Sequence, residues 1–308
     1  MAEQNFSPPN AEQLREHLRL NPPTGPSPLA AWTPMLLMSV AMLIVILAPD
    51  GAIQLLVLPL MISVFVYLGI RVRMVRGLSA KVNAVQELAM MRYWPQSLRI
   101  GWQLLPEAKV SPEMHGRIVV AIAHSLDQVG AYDAAIIAYS YLIERMSPDH
   151  PGSLQLRLQR TLTQLANDQL ADADDALRRM RSQSEFGEGG GPTTARAAFR
   201  LANLFQQVRT HHWDDAVETS DGMLDDLRPL GIDTGYGHAL LALSFHQMKT
   251  DDEAATEKLR RQAKLWWSRA TMLLPVSTLG DRLIELKPMI EDPSMADAVS
   301  PSQPPQEV

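Results

Sequence analysis

The sequence contains no cysteine. Disulfide bonds, thiolate nucleophiles and cysteine-based zinc or iron–sulfur sites are therefore excluded. Basic residues are also outnumbered: the chain has 28 Lys and Arg against 34 Asp and Glu, a formal net charge of −6. The composition therefore gives no support to bulk nucleic-acid binding. Aromatic residues make up only 6% of the chain, while leucine, alanine and methionine are abundant, a mix that favours helices over sheets. We predict an all-α protein.

Charge is absent from two long runs, residues 29–48 and 52–70. Each run is close to the ~20 residues that a helix needs to cross a bilayer. The sequence Pro-Asp-Gly at 49–51 is a strong turn signal between them. The pattern predicts a transmembrane helical hairpin over residues 29–71, and the alternative is a hairpin buried inside a soluble protein.

A basic cluster directly follows the second run. Arg71, Arg73, Arg76 and Lys81 lie there, whereas the loop between the runs carries only Asp50. The positive-inside rule then predicts that the chain from residue 71 onward is cytoplasmic, and two crossings place the N-terminus on the same side. The expected localisation is an integral membrane protein of the inner or plasma membrane, with the lipid bilayer as one partner.

Composition divides the chain into four segments. They are a Pro-rich, mostly disordered segment 1–28, the hairpin 29–71, a helical domain 79–290 and a disordered tail 291–308. One short helix is expected in the first segment, with Asn10 as its cap and Leu14 and Leu18 one turn apart. A glycine-rich stretch at 184–194 interrupts the helical domain and predicts a flexible loop.

A common register relates four parts of the helical domain. The register begins at Trp94, Tyr132, Leu170 and Trp213. Three residues later come the small residues Ser97, Ala135, Ala173 and Ala216. The next two positions, seven and ten residues after each start, hold Gly101, Tyr139, Leu177 and Ser220, and then Leu104, Leu142, Met180 and Met223. Amphipathic patterns precede the last three of these, so we predict about five stacked pairs of antiparallel helices. Small Ala135 would let two helices approach closely, while Tyr132, Tyr139 and Leu142 fill the space beside it.

The best-formed of these parts resembles the tetratricopeptide repeat. The resemblance rests on Leu126, Gly130, Tyr132, Ala135, Tyr139, Leu142 and Pro148. The usual period of that family is about 34 residues, and the spacing here is longer. The resemblance implies an α-solenoid whose concave surface binds peptides or protein partners, without catalysis.

No set of residues predicts catalysis, a cofactor or a metal centre. The histidines at 211, 212, 238 and 246 lack the converging partners that a metal requires. The glycines between 187 and 191 follow no strand and precede no Gly-Lys-Ser/Thr, so they do not form a phosphate loop. Two acidic clusters, at 172–175 and 250–253, are expected at or near helix starts, where acids satisfy free N–H groups and the helix dipole.

The segment 257–270 is a basic helix with two tryptophans. Leu259, Ala263, Trp266 and Ala270 form one apolar stripe, which basic residues surround. Such a helix can lie on an anionic membrane or contact a nucleic acid. We favour the alternative, a late helix of the stack that packs Trp266 inward with its charges solvated.

Two functional hypotheses follow. The first is a membrane-anchored scaffold that binds a protein or peptide partner on the solenoid surface. The second is an accessory or assembly subunit of a larger membrane complex, bound through the hairpin. Side chains that could contribute to a binding face are Asn83, Arg92, Tyr93, His124 and Gln128, but the sequence does not decide which of them point inward, so none is assigned to a site. No enzyme motif is present.

Overall fold

All regular secondary structure that the structure describes is helical. The computed structural model describes residues 7–25, 35–36, 38–40, 51–147, 150–182 and 193–296. No strand occurs in these ranges, which confirms the all-α prediction. The chain forms two compact units, residues 1–138 and 139–308, and the boundary between them falls inside a helix.

The first unit is built on three helices that pack against one another. Its helices are α1 Ala11–Leu20, α2 Gly51–Met90, α3 Trp94–Ala108, α4 Pro112–Gln128 and the first half of α5 Tyr132–Arg145. Helices α2, α3 and α4 make pairwise contacts. Gly101 on α3 faces α4, because a Cβ atom added there would lie 3.0 Å from Cγ1 of Ile122. The hydroxyl of Ser97 donates to the carbonyl of Val85 at 3.0 Å and ties α3 to α2.

The short helix expected in the Pro-rich segment is present as α1. Its cap is a reciprocal box, in which Asn10 Oδ1 accepts from the backbone N–H of Gln13 and Gln13 Oε1 accepts from that of Asn10. Leu14 and Leu18 are buried, at 0% and 2% exposure. A segment expected to be mostly disordered thus contains a packed helix.

A proline in α3 explains how α1 is held. Pro106 has no N–H, so the carbonyl of Trp102 lacks its usual helical donor. The ring of His17 stacks on that of Trp102 with centroids 4.0 Å apart, and its Nε2 lies 3.1 Å from the Trp102 carbonyl oxygen. At the end of α1, Nε2 of His115 is 2.9 Å from the carbonyl oxygen of Asn21. The N-terminal helix is therefore joined to α3 and α4 by side chains that satisfy backbone carbonyls.

The predicted membrane localisation is wrong. No helix in the described part of the chain is long and apolar enough to cross a membrane. The helix that contains the apolar run 52–70 does not end at the basic cluster. This helix, α2, is 40 residues long and includes Arg71, Arg73 and Arg76. Most of the first run, 29–48, lies outside the described residues, so the hairpin has no support.

Four turns in the chain share one backbone conformation. Two residues before each register start stands a residue with positive φ, namely Arg92 (64°), Gly130 (79°), Asp168 (60°) and His211 (60°). The N–H of the next residue in each turn donates five residues back, as from Ala131 to Leu126 at 2.9 Å. This is the 6→1 hydrogen bond of a Schellman motif, which ends one helix and reverses the chain before the next helix begins. Helices therefore begin at Trp94, Tyr132, Leu170 and Trp213, the four residues that define the register.

Burial follows the same register. The side chains three residues into each of these helices, Ser97, Ala135, Ala173 and Ala216, are all fully buried. Tyr139 is 1% exposed and Leu142 is 7% exposed, so these two face inward as predicted. Tyr132, predicted to fill the same space, is only half-buried.

The second unit surrounds one fully buried helix. Its helices are the rest of α5, then α6 Pro151–Ala166, α7 Leu170–Ser182, α8 Thr193–Arg209, α9 Trp213–Glu218, α10 Met223–Leu227, α11 Thr234–Gln247, α12 Glu253–Leu273, α13 Val276–Arg282, α14 Lys287–Ile290 and α15 Pro293–Ala296. Residues 234–245 of α11 are buried on every side, and this helix contacts α8, α9 and α12. Glycines make that packing possible, because a Cβ atom on Gly237 would lie 2.3 Å from Cδ1 of Leu227.

Helix α12 contains the basic segment 257–270. Trp266 is 6% exposed, and Ala263 and Ala270 are fully buried, so the inward-packing interpretation is confirmed. The guanidinium of Arg269 lies over the Trp266 ring at 4.8 Å.

Arg209 joins three parts of the second unit. Its Nη2 and Nε donate to the carbonyl of Leu165 at 2.9 and 3.1 Å, which satisfies the end of α6. Its Nη1 forms an ion pair with Glu285 in the short 3₁₀ turn Ile284–Leu286. Both side chains are mostly buried, at 14% and 15% exposure.

Candidate functional site

A surface groove in the second unit gathers polar and basic side chains around an apolar floor. Its volume is about 300 Å³, and α7, α8 and the start of α10 provide most of its walls. Three guanidinium groups line it, those of Arg181, Arg196 and Arg200. We call it the arginine groove.

The sequence of α8 explains how this groove forms. Arg196, Arg200, Asn203 and Gln207 are spaced by four, three and four residues, so they share one face of the helix. The apolar stripe Leu201–Val208 is used for the core, in contacts with α6 and α11. The polar face is therefore left at the surface, and α7 adds Arg181 from its last turn.

Hydrogen bonds fix one side of the groove. Nη2 of Arg181 donates to Oδ1 of Asn203 at 2.7 Å, and Nδ2 of Asn203 donates to the carbonyl of Phe199 at 2.8 Å. Arg181 is exposed, and a neutral amide rather than a carboxylate is its partner. Its positive charge is therefore held in place without being neutralised by that contact.

Arg200 forms an ion pair at the edge of the groove. Nε of Arg200 lies 3.7 Å from Oδ2 of Asp226, and the two side chains are 50% and 44% exposed. A pair this long and this solvated contributes little.

The floor of the groove is apolar. Leu204 is fully buried, Met223 is 3% exposed and Phe199 is half-buried. Adjacent apolar and cationic surfaces can bind a side chain of each kind, but they provide neither a nucleophile nor a general base.

The first unit has a second groove of about 580 Å³ beside α1. Its walls include His17 and Trp102, whose rings stack on each other, and the exposed Leu20. Burial lowers the pKa of His17 from its ordinary value, because the charged ring would lose solvation. The stacked pair holds α1 in place, so we assign this groove a structural role.

The side chains suggested for a binding face do not converge on either groove. Arg117 donates to Oδ1 of Asn83 at 2.7 Å, and Gln128 donates to Asp127 at 3.1 Å. His124 meets the ring of Trp94 edge-on at 5.0 Å. Arg92 and Tyr93 belong to the first of the four turns, and Tyr93 is 54% exposed.

The four histidines have separate surroundings. His238 is buried beside Trp266 with ring centroids 5.1 Å apart, and His211 tilts against Trp213 at 5.2 Å. Nδ1 of His212 lies 2.7 Å from Oγ1 of Thr210, and Nε2 of His246 lies 3.9 Å from a carboxylate oxygen of Asp292. Within the described ranges, no three histidine or acidic side chains are placed to hold one metal ion.

The acidic clusters lie at or near helix starts, as expected. Asp174 and Asp175 in α7 pair with Arg178 and Arg179 one turn later, at 2.7 and 2.6 Å. Oδ1 of Asp252 caps α12 by accepting from the N–H of Ala254 at 3.1 Å. These acids therefore have local helix-stabilising partners.

Comparison with known proteins gives no relative: no protein-family model matches the chain, and no curated protein and no solved structure is significantly similar to it.

The arginine groove was not predicted from the sequence, although one signal was present. The polar residues of α8 recur at helical spacing on the face opposite the apolar stripe from which the helix was predicted. Arg181 and Met223, which also line the groove, belong to α7 and α10. No local sequence pattern predicts that these two residues lie beside α8.

Proposed function

We propose that the chain is a protein-interaction module in which stacked helix pairs present a groove for a polypeptide partner. The observation that carries this proposal is the arginine groove, an open surface site in which arginine side chains, one of them held by Asn203, lie beside an apolar floor. Its volume of about 300 Å³ suits one or two side chains of a peptide, at the lower end of the range for small-molecule pockets.

The repeated turn supports the same proposal. Four helix starts share one backbone conformation and one buried small residue, which is the behaviour of repeated helix pairs. The resemblance of residues 126–148 to the tetratricopeptide repeat adds to this, because that family binds peptides on a surface made by successive pairs.

A displayed library of random peptides tests the proposal. The immobilised full chain is expected to enrich a small group of related sequences over several rounds, and synthetic versions of them should bind in solution with micromolar affinity, on the order of −8 kcal/mol. If no sequence is enriched above an empty surface and none binds in solution, the proposal is refuted.

A second candidate is an accessory subunit of a larger protein complex. Helix α2 favours it, because apolar side chains remain exposed along much of its described length, including Phe65 (65%), Val66 (54%), Ile70 (56%) and Met74 (69%). Large exposed apolar patches mark interaction sites. Phe65→Ser combined with Met74→Ser should release such a partner without lowering the free energy of unfolding, since both side chains are solvent-exposed in the chain. A partner retained by this variant would exclude α2 as its contact.

A further inference from the structure

We propose that α1 is a displaceable internal ligand, and that the surface of α3 and α4 beneath it binds a short amphipathic helix of a protein partner. We call this surface the α1 seat and define it by the residues that bind the α1 segment, Trp102, Lys109 and His115. The inference goes beyond the proposed function and does not depend on the arginine groove.

The seat contains a carbonyl that takes its donor from the occupant. Pro106 has no N–H, so the carbonyl of Trp102 lacks its usual helical donor. His17 of α1 supplies one, because its Nε2 lies 3.1 Å from that oxygen while its ring stacks on Trp102. A covered carbonyl without a donor is costly, so a helix that brings no donor to this position would bind poorly.

The seat also provides a donor for the end of a helix. Nε2 of His115 lies 2.9 Å from the carbonyl oxygen of Asn21, which is the C-cap residue of α1. The last carbonyls of a helix have no partner within it, so a donor at this place fixes where the occupant helix ends. The two bonds involve residues 17 and 21 of the occupant, about one helical turn apart, and together they set its position along the seat.

The apolar contact comes from one face of α1. Leu14 and Leu18 are buried, at 0% and 2% exposure, and His17 lies on the same face. The spacing i, i+3, i+4 is the pattern with which amphipathic helices dock into grooves. The partner that fits is therefore a short helix with leucine-sized side chains at i and i+4 and a ring that carries an N–H donor at i+3.

Two features make α1 displaceable. A helix of ten residues is too short to be stable by itself in water, so α1 depends on docking for its helical form. Trp102 stays only half-buried beneath it, so α1 does not cover the seat completely. A partner helix with a larger apolar face would cover more of this ring and so replace α1.

The experiment uses the full chain and a fluorescein-labelled synthetic peptide of residues 7–25 as the probe for a partner helix. Leu18→Ser removes a buried contact from the attached helix and leaves the seat unchanged. An attached helix competes at an effective concentration on the order of 1 mM, so its release frees the seat for the probe. We expect anisotropy titrations to give roughly tenfold or tighter binding of the probe to the Leu18→Ser chain than to the parent.

A matched substitution in the same helix provides the control. Leu20 is 64% exposed, so Leu20→Ser should leave α1 in place and the probe should bind this chain as weakly as the parent. His17→Ala keeps both leucines and is a milder release variant, with an affinity expected between those of the Leu18→Ser chain and the parent. Circular dichroism checks that each chain keeps the helix content of its remaining elements. If neither release variant binds the probe more tightly than the parent, the proposal is overturned.

Pro106→Ala distinguishes recognition from simple helix packing. Alanine returns the N–H that the Trp102 carbonyl lacks, so this carbonyl no longer requires a donor from the occupant. Added to Leu18→Ser, it should weaken the probe by roughly threefold or more, although α3 itself gains a hydrogen bond. Undiminished probe binding would overturn the proposed recognition of the occupant by this carbonyl.

A second copy of the chain is the alternative occupant. Light scattering of the parent and the Leu18→Ser chain at the concentrations of the titration tests it. A monomeric parent supports the proposal. A dimeric parent that Leu18→Ser converts to a monomer would place α1 on the seat of a neighbouring copy and overturn the choice of a foreign helix.

Discussion

The shared turn conformation predicts opposite effects for one substitution at two glycines of the first unit. Gly130 has a φ of +79° in the turn before α5, whereas Gly116 lies inside the right-handed helix α4. An added Cβ atom meets nothing within 4 Å at either position. Steric contact with other residues is therefore absent at both positions, and the backbone conformation is what distinguishes them.

The magnitudes follow from the backbone alone. Alanine restricts the unfolded chain and so favours folding by about 0.5–1 kcal/mol wherever its native φ and ψ are relaxed. Gly116→Ala should therefore stabilise the first unit by about that amount. At Gly130 the left-handed conformation costs an L-residue about 1–2 kcal/mol, which exceeds the gain, so Gly130→Ala should destabilise by about 0.5–1 kcal/mol.

The reverse substitution gives a third point. Arg92 holds a φ of +64° at the equivalent turn and is exposed. Arg92→Gly removes the cost of holding an L-residue in the left-handed conformation, but glycine also gives the unfolded chain more conformational freedom. Since the first effect is the larger, we expect the free energy of unfolding to rise by about 0.5–1 kcal/mol. Urea unfolding of the full chain, followed by circular dichroism and fitted with one transition for each unit, measures all three. If the two Gly→Ala substitutions change the midpoint in the same direction, the left-handed turn is not the conformation in solution.

Three further predictions concern the second unit. Arg209→Met should lower the free energy of unfolding by about 3–5 kcal/mol, because Glu285 would remain mostly buried without its counter-ion. Gly237→Ala should destabilise by about 1–3 kcal/mol despite its better helix propensity, because the new Cβ atom displaces the side chain of Leu227. Burial, together with the nearby positive charge of Arg269, lowers the pKa of His238 from 6.5 to about 4. As the pH falls, the imidazole is therefore protonated in the unfolded chain before it is protonated in the folded one. The free energy of unfolding should drop by about 2 kcal/mol between pH 7 and pH 5.

Each of these has a control in the same chain. Lys81→Met removes a solvated ion pair with Glu107 and should cost less than about 1 kcal/mol, in contrast to Arg209→Met. If the Gly237→Ala protein is as stable as the parent, the side chain of Leu227 must adopt another rotamer without strain. His238→Phe should flatten the pH dependence below pH 6.5, and an unchanged slope would assign the acid sensitivity to other groups.

The buried stripe of the helix pairs could be predicted from the sequence because it depends on local period. Ala135, Tyr139 and Leu142 are spaced so that one helix face must carry all three, and burial of that face decides the packing. The helix starts were implied by the same register. The backbone of the turns was not, because glycine marks only Gly130, and Arg92 carries no local signal for positive φ.

The apolar runs illustrate a different limit. Absence of charge is shared by membrane spans and by helices that are buried on all sides in a protein core. Helix α11 shows the second case, since residues 234–245 contain no Asp, Glu, Lys or Arg and are buried throughout. Residues 52–70 belong to a 40-residue helix that also contains Arg71, Arg73 and Arg76, and no helix of the described residues is long and apolar enough to cross a membrane.

The same geometry connects the fold to the proposed function. A helix that packs against neighbours through one stripe has its opposite face available, and the shared turn sets where each second helix of a pair begins. On α8 the stripe Leu201–Val208 enters the core, and its packing holds Arg200 and Asn203 at the surface. Mutations in the core stripe should therefore weaken peptide binding and stability together, whereas Arg200→Gln should weaken binding alone. Measuring both quantities on the two classes of variant tests whether the groove is a consequence of the helix packing.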